Sequence, residues 1–387
     1  MSEPGGASLF TFRVPFDRTQ GIHMKDLTVS GRRVTLLALS VAATIGSLAA
    51  AAQVKTNVPD VVAGARPTTV ERITIHGTAL EGNLEGNAVD RRAIVFLPPS
   101  YHQSRTRRYP VVYALHGYSI GAEQWTKEIH VPQTIEGAFA AGAREMIVVL
   151  PDSKTIHNGS MYSSSITTGD FENYVARDVV SYIDAHYRTI AARESRGLVG
   201  HSMGGYGATR IGMKNADVFG SLYIMSPCCL SARGTSGGRG NNAANDEALA
   251  AVKTAADSAK LPFGLRAQLA SAAAWSPNPK NPPLYLDLPI GDKEQAVRAK
   301  WAANAPLAFI DQYVPALRRY RAVAMDVGDQ DGLRVDAGKL HDVLDQYGIA
   351  NSFEIYPGTH TSDVAARFQQ HVMPFFSRTL SFERVKR

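Results

Sequence analysis

The stretch Gly200-His201-Ser202-Met203-Gly204 restricts this chain more than any other. It reads G-x-S-x-G. Residues 195–199 before it read as a short strand, and residues 205–213 after it as a helix of small residues suited to packing on a sheet. Strand, sharp turn and helix are the setting in which this motif exposes a strained serine at the top of a sheet. The glycines two before and two after the serine keep side chains out of a space where backbone segments nearly touch. A Gly-rich turn with an incidental serine is the plain alternative. A serine hydroxyl is a weak nucleophile alone. It needs a base, a group that orients the base, and donors for the oxyanion.

Around the motif, strand-like runs alternate with helical ones. Residues 70–75 and 92–97 read as strands that open the sheet antiparallel, the second stopped by Pro98-Pro99. Residues 111–115 and 145–150 are continuous apolar runs, as strands buried on both faces require. After a long loop through Tyr162 to Gly169, Asp170 is placed to cap a helix carrying Tyr174, Val175, Val179 and Ile183. Further strands fall at 221–225, 321–327 and 352–356. Helices are expected from Pro306, over 334–347, and from about Ser362, the last interrupted or ended by Pro374. Residues 231 to about 304 break this rhythm with a Gly/Asn-rich stretch, Ala-rich helical pieces and Pro-containing turns. They are read as an inserted cap over the carboxyl edge of the sheet, with a plain surface excursion as the alternative. The alternation predicts an α/β architecture, a mostly parallel central sheet with helices on both faces. Its ligand site belongs at the carboxyl ends of the strands.

The base should lie in a loop after a late strand. His341 and His371 fall inside helical stretches, whereas His360 sits between the last strand and the last helix. The acid should follow the preceding strand, where Asp326, Asp329 and Asp331 all qualify. Asp326 lies inside the apolar run and reads as a buried hydrogen-bonding group. Asp329 and Asp331 share the following loop, and either also suits ordinary turn chemistry. Asp331 is preferred on loop position. Ser202, Asp331, His360 is then the chain order of α/β-hydrolases. In these roles His360 takes the serine proton and returns it to the leaving group, while Asp331 holds the imidazole tautomer. The oxyanion donors expected are the N–H of Met203 and the N–H of Tyr118, in the loop after His116-Gly117. His116 and His201 are read as structural. No Cys/His spacing resembles a zinc site, and no metal or cofactor is implied.

Ahead of the domain, residues 1–33 are polar and end in Arg32-Arg33. Residues 34–52 then form an uncharged, mostly apolar run ending in alanines. This fits a cleaved secretory signal peptide, with Met24 as a candidate start, and an uncleaved membrane anchor is the rival reading. Residues 1–52 are thus an N-terminal extension, 53–68 a linker, and 69–387 the globular domain, exported to the periplasm or beyond. The formal net charge is +6, but Arg105-Thr106-Arg107-Arg108 and Arg318-Arg319 with Arg321 carry no nucleic-acid motif. Both read as solvated surface, and no nucleic-acid partner is expected. The two cysteines, Cys228 and Cys229, are adjacent. They read as two small packed residues near the site, with a strained vicinal disulfide as the other possibility.

Taken together, several blocks resemble the esterase D-type family of α/β-hydrolases. That family includes S-formylglutathione hydrolases, bacterial feruloyl and acetyl xylan esterases, and mycolyltransferases. The blocks are Arg108-Tyr109-Pro110-Val111-Val112-Tyr113 leading into Leu115-His116-Gly117, with Trp125 following; the stretch from Gly200 to Gly205; Gly328-Asp329-Gln330-Asp331; and Gly358-Thr359-His360. The likeness runs from about residue 70 to 376. It implies the same triad and favours Asp331 over Asp329. It also implies an α/β-hydrolase fold and a serine carboxylesterase that works through an acyl-enzyme on a small-molecule or polysaccharide-linked ester. An acyltransferase on the same scaffold, or a non-catalytic binding protein, are the alternatives. The loop at 157–169 and the segment 231–304 would shape the acyl and alcohol pockets. A signal peptide argues against the cytosolic members.

Overall fold

The computed structural model of the protein describes residues 54–231 and 243–383. The apolar runs form eight strands of one sheet: β1 (Thr69–His76), β2 (Asp90–Leu97), β3 (Val111–Leu115), β4 (Ile147–Pro151), β5 (Arg196–His201), β6 (Ser221–Met225), β7 (Ala322–Gly328) and β8 (Ser352–Tyr356). Their spatial order is β1-β2-β4-β3-β5-β6-β7-β8. β2 pairs antiparallel with both β1 and β4. Every other pairing in this sheet is parallel.

Successive side chains on a strand point to opposite faces, and both faces are covered. Val111, Tyr113 and Leu115 belong to one apolar cluster with Tyr174, Val179 and Ile183, with Tyr206 and Ile211, and with Leu340 and Leu344. Val112 and Ala114 belong to the other, with Trp125, Ile135, Phe368, Val372 and Phe376. Each such fully buried side chain contributes roughly 1.5–3 kcal/mol of transfer free energy. From β3 the chain steps outward to β4, then crosses back over β3 to β5 on its other side, so the strand order reverses at β3. Such a reversal is where α/β sheets place a ligand crevice, at the carboxyl ends of β3 and β5.

The helices that matter below are α1 (Ala122–Glu128), α2 (Gln133–Ala140), α3 (Val180–His186), α4 (Met203–Lys214), α5 (Ala243–Ala250), α6 (Ala255–Lys260), α7 (Phe263–Trp275), α8 (Glu294–Ala303), α9 (Arg334–Gln346), α10 (Val364–Arg367) and α11 (Met373–Thr379). Asp170 caps the helical run into α3, accepting from the N–H of Asn173. Two differences from the sequence expectation stand out. Of the interruption or end expected at Pro374, the end does not occur. The last helix widens into a π turn over Phe368–Val372 and continues to Thr379, so the residue without an N–H enters at the start of a fresh helical segment. The linker is also fastened to the domain. Thr56 Oγ1 accepts from the N–H of Ala365 at 3.0 Å, Asn57 Nδ2 donates to Asp363 at 3.0 Å, and the N–H of Thr68 donates to Glu136 at 2.7 Å. The apolar run at 34–52 lies outside the described residues, among which no helix is long and apolar enough to cross a membrane.

Candidate active site

Ser202 joins β5 to α4 at φ +60° and ψ −114°, a conformation a non-glycine residue holds only when its surroundings impose it. Here the neighbouring glycines make it possible. A Cβ on Gly200 would lie 2.0 Å from the carbonyl oxygen of Gly204, and one on Gly204 would lie 2.0 Å from that of Leu115. Helix α4 therefore starts against β3 and β5 with no room for side chains. The N–H of Ser202 donates to Met225 at 3.0 Å, and its carbonyl accepts from Cys228 at 3.1 Å.

Two loops at the far side of the sheet converge on this serine. A Cβ on Gly328 would lie 2.3 Å from the carbonyl oxygen of Gly358, so the loops after β7 and β8 touch. Three hydrogen bonds lock them together. Asp329 N–H donates to Tyr356 at 2.8 Å, Gln330 N–H to Gly358 at 2.9 Å, and Gly358 N–H to Asp329 Oδ1 at 2.9 Å. The result brings Ser202, His360 and Asp331 into one line. His360 Nε2 stands 2.9 Å from Ser202 Oγ, and its Nδ1 stands 2.7 Å from Asp331 Oδ2. Asp331 is buried and also accepts the N–H of Leu333 at 2.9 Å. Burial alone would push its carboxyl up, but the hydrogen bond and charge of His360, with the Leu333 N–H, outweigh it and hold the group below the usual carboxylate range. An ionised Asp331 makes Nδ1 the protonated nitrogen and leaves Nε2 as an acceptor facing the serine hydroxyl.

The other candidates have different partners. Asp326 is fully buried and accepts from Arg367 Nε at 2.9 Å and from the Tyr223 hydroxyl at 2.8 Å. His201 donates through Nε2 to the carbonyl of His360 at 2.9 Å, with the two rings 4.8 Å apart. Burial pushes it down to about 3, so it is neutral and braces the backbone of His360. His116 is fully buried, with Nδ1 2.9 Å from the carbonyl of Gly117 and Nε2 accepting from the N–H of Ser153 at 2.9 Å.

Met203 opens α4 and Tyr118 lies in the turn after β3, on the two sides of the crevice. Among the described residues no turn or loop backbone acceptor takes either N–H. Gly159 was not singled out by the sequence, yet it lies against both. A Cβ there would sit 2.6 Å from the Tyr118 ring and 2.7 Å from Met203 Sδ. The loop carrying it also accepts the Tyr118 hydroxyl on the carbonyl of His157 at 3.0 Å and the Ser119 N–H on that of Asn158 at 3.0 Å. Beneath this loop lies a buried pair, with Glu85 Oε1 3.7 Å from His157 Nε2. Burial pushes Glu85 up to about 8 and His157 down to about 4.

The helices of the 231–304 segment pack against the same loop. Trp275 Nε1 donates to Ser163 at 3.0 Å, Ser165 Oγ to the carbonyl of Ala273 at 2.6 Å, and Ser258 pairs with His157 at 3.1 Å. At the start of α7, Phe263 is half exposed and meets the Tyr118 ring edge-on at 5.3 Å. Cys228 and Cys229 are free thiols.

The sequence profile of the "Putative esterase" family matches residues 88–373. An endo-1,4-beta-xylanase/feruloyl esterase of Xylanibacter ruminicola is 27% identical over 140 residues, 35% of this chain and 19% of that protein. An esterase of Mycobacterium tuberculosis is 29% identical over 130 residues, 33% of this chain and 27% of that protein. The chain thus spans less than a third of the length of these curated relatives. Among solved structures, a ferulic acid esterase superposes with a TM-score of 0.57 at 23% identity, covering 82% of this chain and 100% of its own. The Staphylococcus aureus fluorophosphonate-binding serine hydrolase F does so with 0.55 at 18%, covering 81% and 99%. The shared architecture is the α/β-hydrolase fold.

Proposed function

The chain belongs to the "Putative esterase" family, and from that membership we propose that it is a serine carboxylesterase working through an acyl-enzyme on Ser202. The observation that carries the reading is the relay from Ser202 Oγ to His360 at 2.9 Å and on to Asp331 at 2.7 Å. His360 Nε2 accepts the hydroxyl proton as Oγ attacks the ester carbonyl carbon. The carbonyl oxygen becomes an oxyanion held by the N–H groups of Met203 and Tyr118, each worth ~3 kcal/mol of transition-state stabilisation. The protonated His360 then gives its proton to the departing alcohol. Water, deprotonated by the same nitrogen, attacks the acyl-enzyme and releases the acid. Asp331 stays ionised throughout and stabilises the imidazolium. The substrate class is a carboxylic ester of a small molecule or of a polysaccharide. The name of the Xylanibacter ruminicola relative makes feruloyl esters the first to try.

The test is hydrolysis of p-nitrophenyl acetate, p-nitrophenyl butyrate and methyl ferulate by the full chain and by its Ser202→Ala variant. The variant should lose a factor of about 10⁴ or more in kcat. Equal rates in the two proteins would remove Ser202 from the mechanism. Adding a primary alcohol separates hydrolysis from acyl transfer, because only a transferase forms the new ester in preference to the acid. Export is proposed on the apolar run at 34–52 alone. An N-terminus still at Met1 or Met24 in protein recovered from its native host would refute cleavage.

A further inference from the structure

The only two cysteines of the chain form part of the wall behind Ser202. After β6 the chain turns through Ser226-Pro227-Cys228-Cys229 across the carboxyl ends of β6 and β7, with Ser226 N–H donating to Asp326 at 2.8 Å. Cys228 then gives its N–H to the carbonyl of Ser202 at 3.1 Å. Both residues are partly buried and their sulfurs stand 2.7 Å apart; the contact with Cys229 and burial push the Cys228 thiol up, which leaves Cys229 as the thiol that attacks first. Cys229 is held at φ +61°, a left-handed conformation uncommon outside glycine.

We propose that Cys228 and Cys229 are a site of reversible oxidation by low-molecular-weight disulfides, closing to a vicinal disulfide that slows the reaction at Ser202. The second half rests on the proposed role of Ser202, and the first half does not. One cysteine thiolate attacks a sulfur of the small disulfide, forming a mixed disulfide and releasing one small thiol. The neighbouring thiolate attacks the protein sulfur of that mixed bond and releases the second. Two protein thiols are oxidised, the small disulfide is reduced to two thiols, and the two protons leave with them.

The sulfurs already touch, so closure needs no rearrangement of the fold. It does need the peptide between them to deform. Adjacent Cα atoms are about 3.8 Å apart, whereas disulfides favour roughly 4.4–6.8 Å. Strain of this kind makes the bond labile to reducing thiols. The deformed peptide joins Cys228 to Cys229 and directly follows the one whose N–H holds the carbonyl of Ser202, so strain at Cys228 passes to that hydrogen bond. Displacing a nucleophile by a fraction of an ångström to an ångström costs up to about 10²-fold in rate.

The test equilibrates the full chain in glutathione buffers of graded oxidised-to-reduced ratio, then quenches it with iodoacetamide. Intact mass is read under denaturing, non-reducing conditions. At the reduced end two thiols should be alkylated. At the oxidised end none should be, in a monomer lacking two hydrogens, and with two cysteines in the chain that bond has one location. Two alkylated thiols throughout, stable glutathione adducts, or a disulfide-linked dimer would overturn the site. Hydrolysis of p-nitrophenyl butyrate should fall about 10- to 100-fold in step with the thiols and return with dithiothreitol. Cys229→Ser should hold its rate at every ratio. Thiol loss at constant rate, or an equal fall in Cys229→Ser, would overturn the effect on Ser202. If Ser202→Ala hydrolyses as fast as wild type, the thiol count still decides the site.

Discussion

Three aspartates within one six-residue stretch show how far single residues could be assigned from the sequence. Asp326, Asp329 and Asp331 share charge, size and neighbourhood, and all suit the end of a strand or a turn. The apolar run around Asp326 marked it as buried, and its partners are Arg367 and Tyr223. Loop position and the family resemblance favoured Asp331 over Asp329, but nothing local explains the difference, because their partners come from a loop about thirty residues on. Asp329 accepts the N–H of Gly358, while Asp331 faces His360. The two therefore differ in what their removal should do. Asp331→Asn should lower kcat by about 10³–10⁴ with little change in KM, since the amide favours the wrong imidazole tautomer. Asp329→Asn should cost ~1 kcal/mol of stability, through a weakened acceptor for Gly358, and less than about tenfold in kcat. Steady-state kinetics on p-nitrophenyl butyrate, beside urea denaturation, measure both. A larger kcat loss in Asp329→Asn would transfer the orienting role to that residue.

At the scale of elements, the strands were legible because burial on both faces forces runs such as residues 111–115 and 147–150 to be apolar throughout. Helices α1 and α2 were passed over. They are short, begin without a side-chain cap, and are separated by a turn containing Pro132. The contents of the 231–304 segment could not be placed because what fixes them is distant, such as Trp275 on Ser163 and Ser258 on His157. The last helix has an anchor of the same long-range kind. Arg367 of α10 binds Asp326 on β7 at 2.9 Å and Glu354 on β8 at 2.6 Å, and lies 3.4 Å from Tyr223 on β6. This ties the helix behind the His360 loop to three strands. Removing the fully buried partner leaves Arg367 with only the half-exposed Glu354, so Asp326→Ala should cost about 3 kcal/mol. Glu354 is half exposed, and Glu354→Ala should cost about 1 kcal/mol or less. Urea denaturation of the two variants decides it, and equal losses would mean the network is not anchored through Asp326.

For the whole molecule, the buried titratable groups set a pH of greatest stability. His157 and His201 have ordinary values of 6.5 but are held at about 4 and about 3 in the folded chain by burial. Below 6.5 the unfolded chain takes up protons that the folded chain refuses, so stability falls as the pH falls. Glu85 acts in the opposite sense. Its ordinary value is 4.5 and its folded value about 8. Between these the folded chain keeps a proton that the unfolded chain has released, so stability falls as the pH rises. From 4.5 to about 6 the two imidazoles are offset by Glu85 and by Asp326, which burial raises to about 6, and between 6 and 6.5 the acid-side trend prevails. Above 6.5 the imidazoles are neutral in both states and the Glu85 trend remains. Glu85 therefore gives a decline on the alkaline side that begins near pH 6.5 and ends near pH 8. Glu85→Gln keeps an acceptor for Asn87, which bonds Glu85 Oε2 at 2.7 Å, and has no proton to lose. Its urea midpoint should stay level from about pH 6.5 to 8, where the wild-type midpoint declines. Because the Glu85 pair lies under the loop that holds Tyr118, the same ionisation should loosen the Tyr118 turn. Amide hydrogen exchange at Ser119, whose N–H is held by Asn158, corrected for its intrinsic pH dependence, should speed up over this range in wild type and not in Glu85→Gln. A matching alkaline decline in the variant would mean that Glu85 is not its source.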